Sequence, residues 1–135
     1  MTRPKLDIAI DEYASPIKSS GTTGMSLQEM SKMLEDNGYR HLPILDNKKP
    51  VGMVSIRDLH LLKSLNTHFD LKAGDIMSAN PYCVPRGTSI EDVAFYMSEN
   101  KIGSAIIVDE SGDAESIFTS IDGLNALVEI ARGEY

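Results

Sequence analysis

Apolar and polar positions along this chain follow two different periods, and the same succession of periods occurs twice. Leu27, Met30, Met33 and Leu34 fall along one face of a helix, because three- and four-residue steps return to the same side of a 3.6-residue turn. Ile90, Val93, Tyr96 and Met97 repeat that spacing in the second half. The offset is constant: Gly24 and Gly87 are 63 residues apart, as are Asn37 and Asn100. Ser26, and Ser89 or Thr88, stand where helix N-caps belong. Glu29, or Glu91 and Asp92, supply acid to the first turns, where it complements the helix dipole.

Each helical pattern gives way to a short extended run ending in aspartate, His41–Asp46 and Ser104–Asp109. Asp46–Pro50 and Asp109–Asp113 then read as hairpin turns. Second strands follow at Val51–Ser55 and Glu115–Thr119. Ser55 and Thr119 are 64 residues apart, so the second hairpin carries one extra residue, which a surface turn accepts easily. Closing helices begin near Asp58 and Asp122. Shorter lead-ins, Asp11–Pro16 and Asp75–Pro81, precede the two copies.

This order predicts an α/β (α+β) chain of two βαββα repeats, the first over residues 8–66 and the second over 75–135. Residues 67–74 form a partly helical linker. Each unit alone is small and leaves apolar surface open, so the repeats are expected to pack together as a pseudo-twofold module, with helices outside and at the interface.

Composition narrows the function. At 41% hydrophobic and 24% charged residues the chain is of ordinary globular make-up. Its longest aliphatic stretch, Ala105–Val108, falls far short of the roughly 20 residues a membrane span needs. The start of the chain has no apolar signal core, so a cytoplasmic location is expected. A net charge of −7 argues against nucleic-acid binding, which needs clustered Lys and Arg to displace counterions. A small anionic ligand needs only a few local donors and a helix N-terminus. Cys83 is the single cysteine, which excludes an internal disulfide and any multi-cysteine zinc site.

Asp75–Pro81, then a helix, a strand ending in Asp, and a strand running into Thr119-x-x-Asp122 together resemble a CBS domain. The first copy has its own version in His41–Asp46 and Val51–Leu59. No single motif is specific, but the ordered set occurs twice and covers nearly the whole chain, from about Asp11 to about Ala131. In that family paired domains form a Bateman module, many of which bind adenosine nucleotides or S-adenosylmethionine in clefts between the repeats and dimerise. The family's signature, Gly-hydrophobic-x-Thr/Ser-x-x-Asp, falls on Gly52, Ser55 and Asp58 in the first copy. In the second it falls on Thr119 and Asp122, with Ser116 in the glycine position.

The resemblance implies a regulatory module binding an adenosine nucleotide (AMP, ADP or ATP) or S-adenosylmethionine as a regulatory ligand, with no tightly bound cofactor. A strand feeding a helix sets a hydroxyl at the strand end, where it can donate to phosphate beside exposed helix amides. A carboxylate can accept both hydroxyls of a ribose. Gly52 lets backbone approach a ligand, and Arg57 can pair with a phosphate, which Ile121 at the equivalent place cannot. The first cleft is therefore the expected phosphate binder.

Blander readings stand beside these. Asp58 and Asp122 are equally explained as N-caps, Ser55 and Thr119 as strand-end caps, and Arg57 as a solvated arginine. Arg40 and His41 either face a phosphate or lie on the surface. His41, His60 and His68 lack metal-ligand spacing, and nothing orients a base toward Cys83, read as a small buried residue. Met25, Met30 and Met33 form a core-facing or contact surface. The C-terminal helix has apolar residues on more than one side, which predicts burial between repeats or across a homodimer. Without an ordered nucleophile, metal cluster or phosphate loop, no enzyme is expected. The alternative to a sensor is a ligand-free module for dimerisation or for docking onto a separately encoded enzyme or transporter.

Overall fold

The computed structural model describes residues 7–65 and 70–134. Of the linker and its surroundings, residues 66–69, and with them His68, lie outside the described residues. Among the described residues no helix is long and apolar enough to cross a membrane.

The segment Lys18–Pro81 forms one unit. Its first helix, α1 (Leu27–Asn37), starts at Ser26, whose hydroxyl accepts the Glu29 N–H at 3.1 Å, and stops at Gly38 in the left-handed region. The helix begins at the first residue of the apolar pattern, directly after the expected cap. Strands β2 (His41–Asp46) and β3 (Lys49–Ser55) pair antiparallel. Asn47 and Lys48 join them, both at positive φ, as a tight two-residue hairpin turn requires. Helix α2 (Ile56–Ser64) follows β3 directly. After the undescribed residues come the short α3 (Ala73–Ile76) and β4 (Ser78–Ala79), which adds to the free edge of β3. At the other edge Gly21 makes a single parallel bridge to Ile44. The core holds Met30, Leu34, Leu42, Ile44, Val54 and Leu59, with Met25 and Met33 packed at its margin. The methionine face of α1 is therefore a core face.

The other unit joins the segment up to Ile17 with the segment from Tyr82 onward. Its sheet runs β1 (Ser15–Pro16), β7 (Ala114–Thr119), β6 (Ser104–Val108), β5 (Cys83–Pro85), with only the β5–β6 pair parallel. Helices α4 (Ile90–Asn100) and α5 (Ser120–Arg132) complete it. The longer β6–β7 hairpin is closed by Asp109, whose Oδ1 accepts the N–H groups of Ser111 and Asp113 at 2.9 Å. Ile8, Ile10, Val93, Ala105, Ile107 and Phe118 lie in the core.

The compact units do not coincide with the sequence period. The lead-in of the first repeat supplies β1 to the sheet of the second, and the lead-in of the second supplies β4 to the sheet of the first. Hydrophobic pattern cannot reveal this, because a two-residue strand carries no periodicity of its own.

One expectation is corrected, and one is narrowed to its dimer alternative. Cys83 is exposed: on β5 the alternation turns Val84 inward and leaves Cys83 and Pro85 outside. On α5 only Ala126 is buried, while Ile121, Leu124, Leu127 and Val128 are exposed in this chain.

Candidate functional site

The two strand-to-helix turns that carry the signature residues are built alike. In the first, β3 ends at Ser55, the N-cap of α2, and Asp58 is the third helical residue. The Asp58 N–H donates to the Ser55 hydroxyl at 3.1 Å, and the Ser55 N–H donates to Asp58 Oδ2 at 3.4 Å. In the second, Thr119 is the N-cap of α5 and donates its N–H to Asp122 Oδ2 at 2.8 Å. The aspartates are thus not the caps themselves. They sit one turn in and reach back, an arrangement that satisfies two otherwise orphaned backbone donors reciprocally. Accordingly the helices begin at Ile56 and Ser120, two residues before the expected start.

A further bond fixes each turn. The first helical amide donates to a carbonyl just before the adjoining hairpin strand, β2 or β6: Ile56 N–H to Arg40 at 2.8 Å, and Ser120 N–H to Gly103 at 3.1 Å. The second helical amide, Arg57 or Ile121, is one that a helix leaves without an internal partner. Each turn therefore presents an amide, a hydroxyl and a carboxylate in one place.

The hydroxyls differ. Ser55 Oγ serves as acceptor from Asp58, so its own proton is available. Thr119 Oγ1 donates to Asp122 Oδ2 at 3.2 Å, which commits that proton. Charge differs more. Strand pairing sets His41 opposite Ser55, and its counterpart Ser104 opposite Thr119. Around the first turn stand Arg40, His41 and the exposed Arg57; around the second stand Gly103, Ser104 and the exposed Ile121.

His41 is half-buried, and its Nδ1 is shielded from solvent without a hydrogen-bond partner among the described residues. Burial holds the imidazole below its ordinary pKa, and the neighbouring Arg40 charge acts in the same direction, while Asp58 opposes both. The sequence left open whether Arg40 and His41 lie on the surface: Arg40 is exposed, with its carbonyl at the Ser55 turn, and His41 lies opposite Ser55.

Gly52 is separated from these groups by the pleat, since residues three apart on a strand face opposite sides. It is buried opposite Ala79 of β4, and a Cβ there would lie 2.2 Å from Met77 Sδ and 2.7 Å from its Cγ. Its lack of a side chain is accounted for by Met77. In the other sheet Ser116 pairs with Pro16, and the residue at the Met77 position is Ala14. The corresponding positions differ in bulk: glycine and methionine in one unit, serine and alanine in the other. Met77 was not singled out in the sequence, because the exchange that places it there is not legible locally.

With this geometry in place, comparison with known proteins is informative. The CBS domain family model matches residues 22–62 and 73–129, and the chain belongs to that family. Among solved structures, CBSX2 in complex with AMP superposes with a TM-score of 0.76 at 25% identity, covering 91% of this chain and 98% of that one; CBSX2 is a CBS-pair protein of Arabidopsis thaliana. The CBS domain pair of protein MJ0100, in complex with 5′-methylthioadenosine and S-adenosyl-L-methionine, gives 0.77 at 25% identity, covering 89% and 99%. An acetoin utilization protein (AcuB) from Vibrio cholerae shares the fold, at 0.82 and 24% identity over 95% and 97% of the two chains.

Among sequences, the inosine-5′-monophosphate dehydrogenase of Nitrosopumilus maritimus is 32% identical over 101 residues, 74% of this chain and 20% of that protein. A functionally uncharacterised protein of Methanocaldococcus jannaschii is 26% identical over 110 residues, 82% of this chain and 35% of that protein. The chain thus spans about a third or less of these relatives.

Proposed function

We propose that this chain is a regulatory ligand-sensing module that binds an adenosine nucleotide at the Ser55–Asp58 turn, with Thr119–Asp122 as a weaker second site. The observation that carries this reading is the first turn itself: an available hydroxyl, a helix-terminal amide and a carboxylate, ringed by Arg40, His41 and Arg57. Asp58 uses Oδ2 within the turn, and its other oxygen is of a kind that can accept ribose hydroxyls. Ser55, the Arg57 amide and the Arg57 guanidinium suit a phosphate. The adenosine-derived ligands held by CBSX2 and by the MJ0100 pair support the same class of ligand. Gly52 contributes by admitting Met77, which seats β4 against the strand leading into the turn.

To regulate, such a ligand must bind two states of the module with different affinity. Thermal shift and calorimetry with AMP, ADP, ATP and S-adenosylmethionine test the reading. A saturable response is expected, lost in Asp58→Ala and largely kept in Asp122→Ala. Folded protein that responds to none of the four ligands would sink it.

The row Ile121, Leu124, Leu127 and Val128 on α5, each close to half exposed or more, supports a second reading: a ligand-free module that dimerises or docks onto a separately encoded enzyme or transporter. Sedimentation showing a nucleotide-insensitive homodimer would favour it, and a monomer at micromolar concentration would remove the homodimer from it.

A further inference from the structure

The exchange of lead-ins makes one unit an insertion in the other. Lys18–Pro81 is continuous in sequence, whereas the companion unit is assembled from the segment ending at Ile17 and the segment beginning at Tyr82. In the companion's sheet β1 and β5 occupy opposite edges, with β7 and β6 between them, three strand spacings or about 14 Å apart. The insert offers its own ends across a like span. Gly21 bridges β2 at one edge of its sheet, and β4 lies at the other, with β3 between.

Residues 8–17 are held on the chain after Tyr82 at several points. Ile10 donates to Thr88 at 2.8 Å, Ile90 to Ile8 at 2.9 Å, and Ile17 to Glu115 at 3.0 Å. The Gly87 N–H donates to Asp11 Oδ1 at 2.7 Å, and the Tyr13 hydroxyl to Glu129 at 2.5 Å. Ile8 and Ile10 are 5% and 0% exposed, so the companion has no complete core without this arm. A folded insert delivers the arm within reach. An unfolded insert becomes a loop of roughly 60 residues, and closure weakens as loop length to the power 3/2, a factor on the order of several hundred.

We propose that Lys18–Pro81 is a self-sufficient clamp: it stays folded when the companion opens, and its folding keeps the arm before Ile17 paired with the chain after Tyr82. The dependence follows from chain topology and stands apart from the ligand reading. The molecule then unfolds in two ordered steps, companion first and clamp second.

Native-state hydrogen exchange of the full chain in rising urea tests this. Amides of β6 and β7 are expected to exchange through an opening that leaves β2 and β3 protected. Ile10→Ala destabilises the fully folded state that precedes both openings, so it should speed exchange in both sheets by the same factor, at least tenfold. Ile44→Val should speed exchange in β2 and β3 alone, by a few-fold, because the first step leaves that core intact. Should Ile10→Ala unfold the chain, Ile10→Val gives the same pattern with smaller factors. Four results overturn the proposal: one common exchange isotherm, β2 and β3 opening first, Ile10 substitutions confined to β6 and β7, or Ile44→Val felt equally in both sheets.

Discussion

The turn at Ser55–Asp58 and the turn at Thr119–Asp122 share a backbone and differ in nearly everything attached to it. Both place a hydroxyl N-cap before a helix and an aspartate one turn in, and both fix the first helical amide on a carbonyl before the adjoining strand. Around one stand two arginines and a histidine; around the other stand glycine, serine and isoleucine at the matching places. Duplication kept what makes the turn fold. What differs is what would determine charge recognition. A capping box needs only a hydroxyl and a carboxylate, so the flanking positions are free to diverge without loss of the helix start. Likeness of the two motifs is therefore evidence of folding, and their unlikeness is the evidence about ligands.

The strongest test of this division concerns Gly52 and Ser116. Gly52→Ser puts atoms where Met77 now lies, and overpacking of that kind costs about 1–3 kcal/mol. Adding Met77→Ala should recover most of the loss, since it reproduces the serine–alanine pairing of the other unit. Ser116→Gly meets no such clash and should cost about 1 kcal/mol or less. Urea unfolding of the four proteins measures these differences. If Gly52→Ser costs no more than Ser116→Gly, or if Met77→Ala fails to rescue it, the difference in bulk is not what distinguishes the two sheets.

Next in size is the charge difference itself. Arg57→Ile gives the first turn the residue of the second, and should weaken AMP binding about tenfold, the value of one charge-assisted hydrogen bond of about 1.5 kcal/mol. The loss should shrink as salt is raised, because exposed charges are screened. Ile121→Arg should tighten the second turn, with Asp58→Ala in the background to silence the first. Calorimetry giving equal affinity for Arg57→Ile and wild type would remove Arg57 from the site.

The framework of both turns was legible in the sequence because it rests on local rules. A helical period, a hydroxyl and an aspartate three residues on announce a capped helix after a strand, and those residues stand where the pattern put them. The role of Asp58 and Asp122 within the turn was shifted by three positions: each is the partner of a cap and not the cap, a distinction that depends on φ and ψ at Ser55 and Thr119. The meaning of Gly52 was not legible. Met77 lies 25 residues away in the other copy's lead-in, and only the exchange of β4 brings it near. The inward reading of Cys83 failed for a related reason. β5 is three residues long, too short for alternation to declare which side faces the core.

The smallest expected effect is the pH dependence of the first turn. His41 is held below its ordinary pKa chiefly by burial, and Arg40 reinforces the shift. The unfolded chain, with an imidazole near 6.5, therefore binds its proton before the folded chain does. Above that pH both states are neutral at this position and His41 contributes nothing to the pH dependence. As pH falls through about 6.5 the unfolded state gains a proton first, and stability declines until the folded imidazole also titrates. His41→Ser installs the residue found at Ser104 and should remove that decline, while leaving the effects of other titrating groups in place. Unfolding free energies measured from pH 8 down to pH 5 decide the matter through the difference between the two proteins: it should be constant above pH 7 and should change in the variant's favour below 6.5. Parallel curves over the whole range would show that neither burial nor the neighbouring Arg40 charge holds His41 below its ordinary pKa in the folded chain.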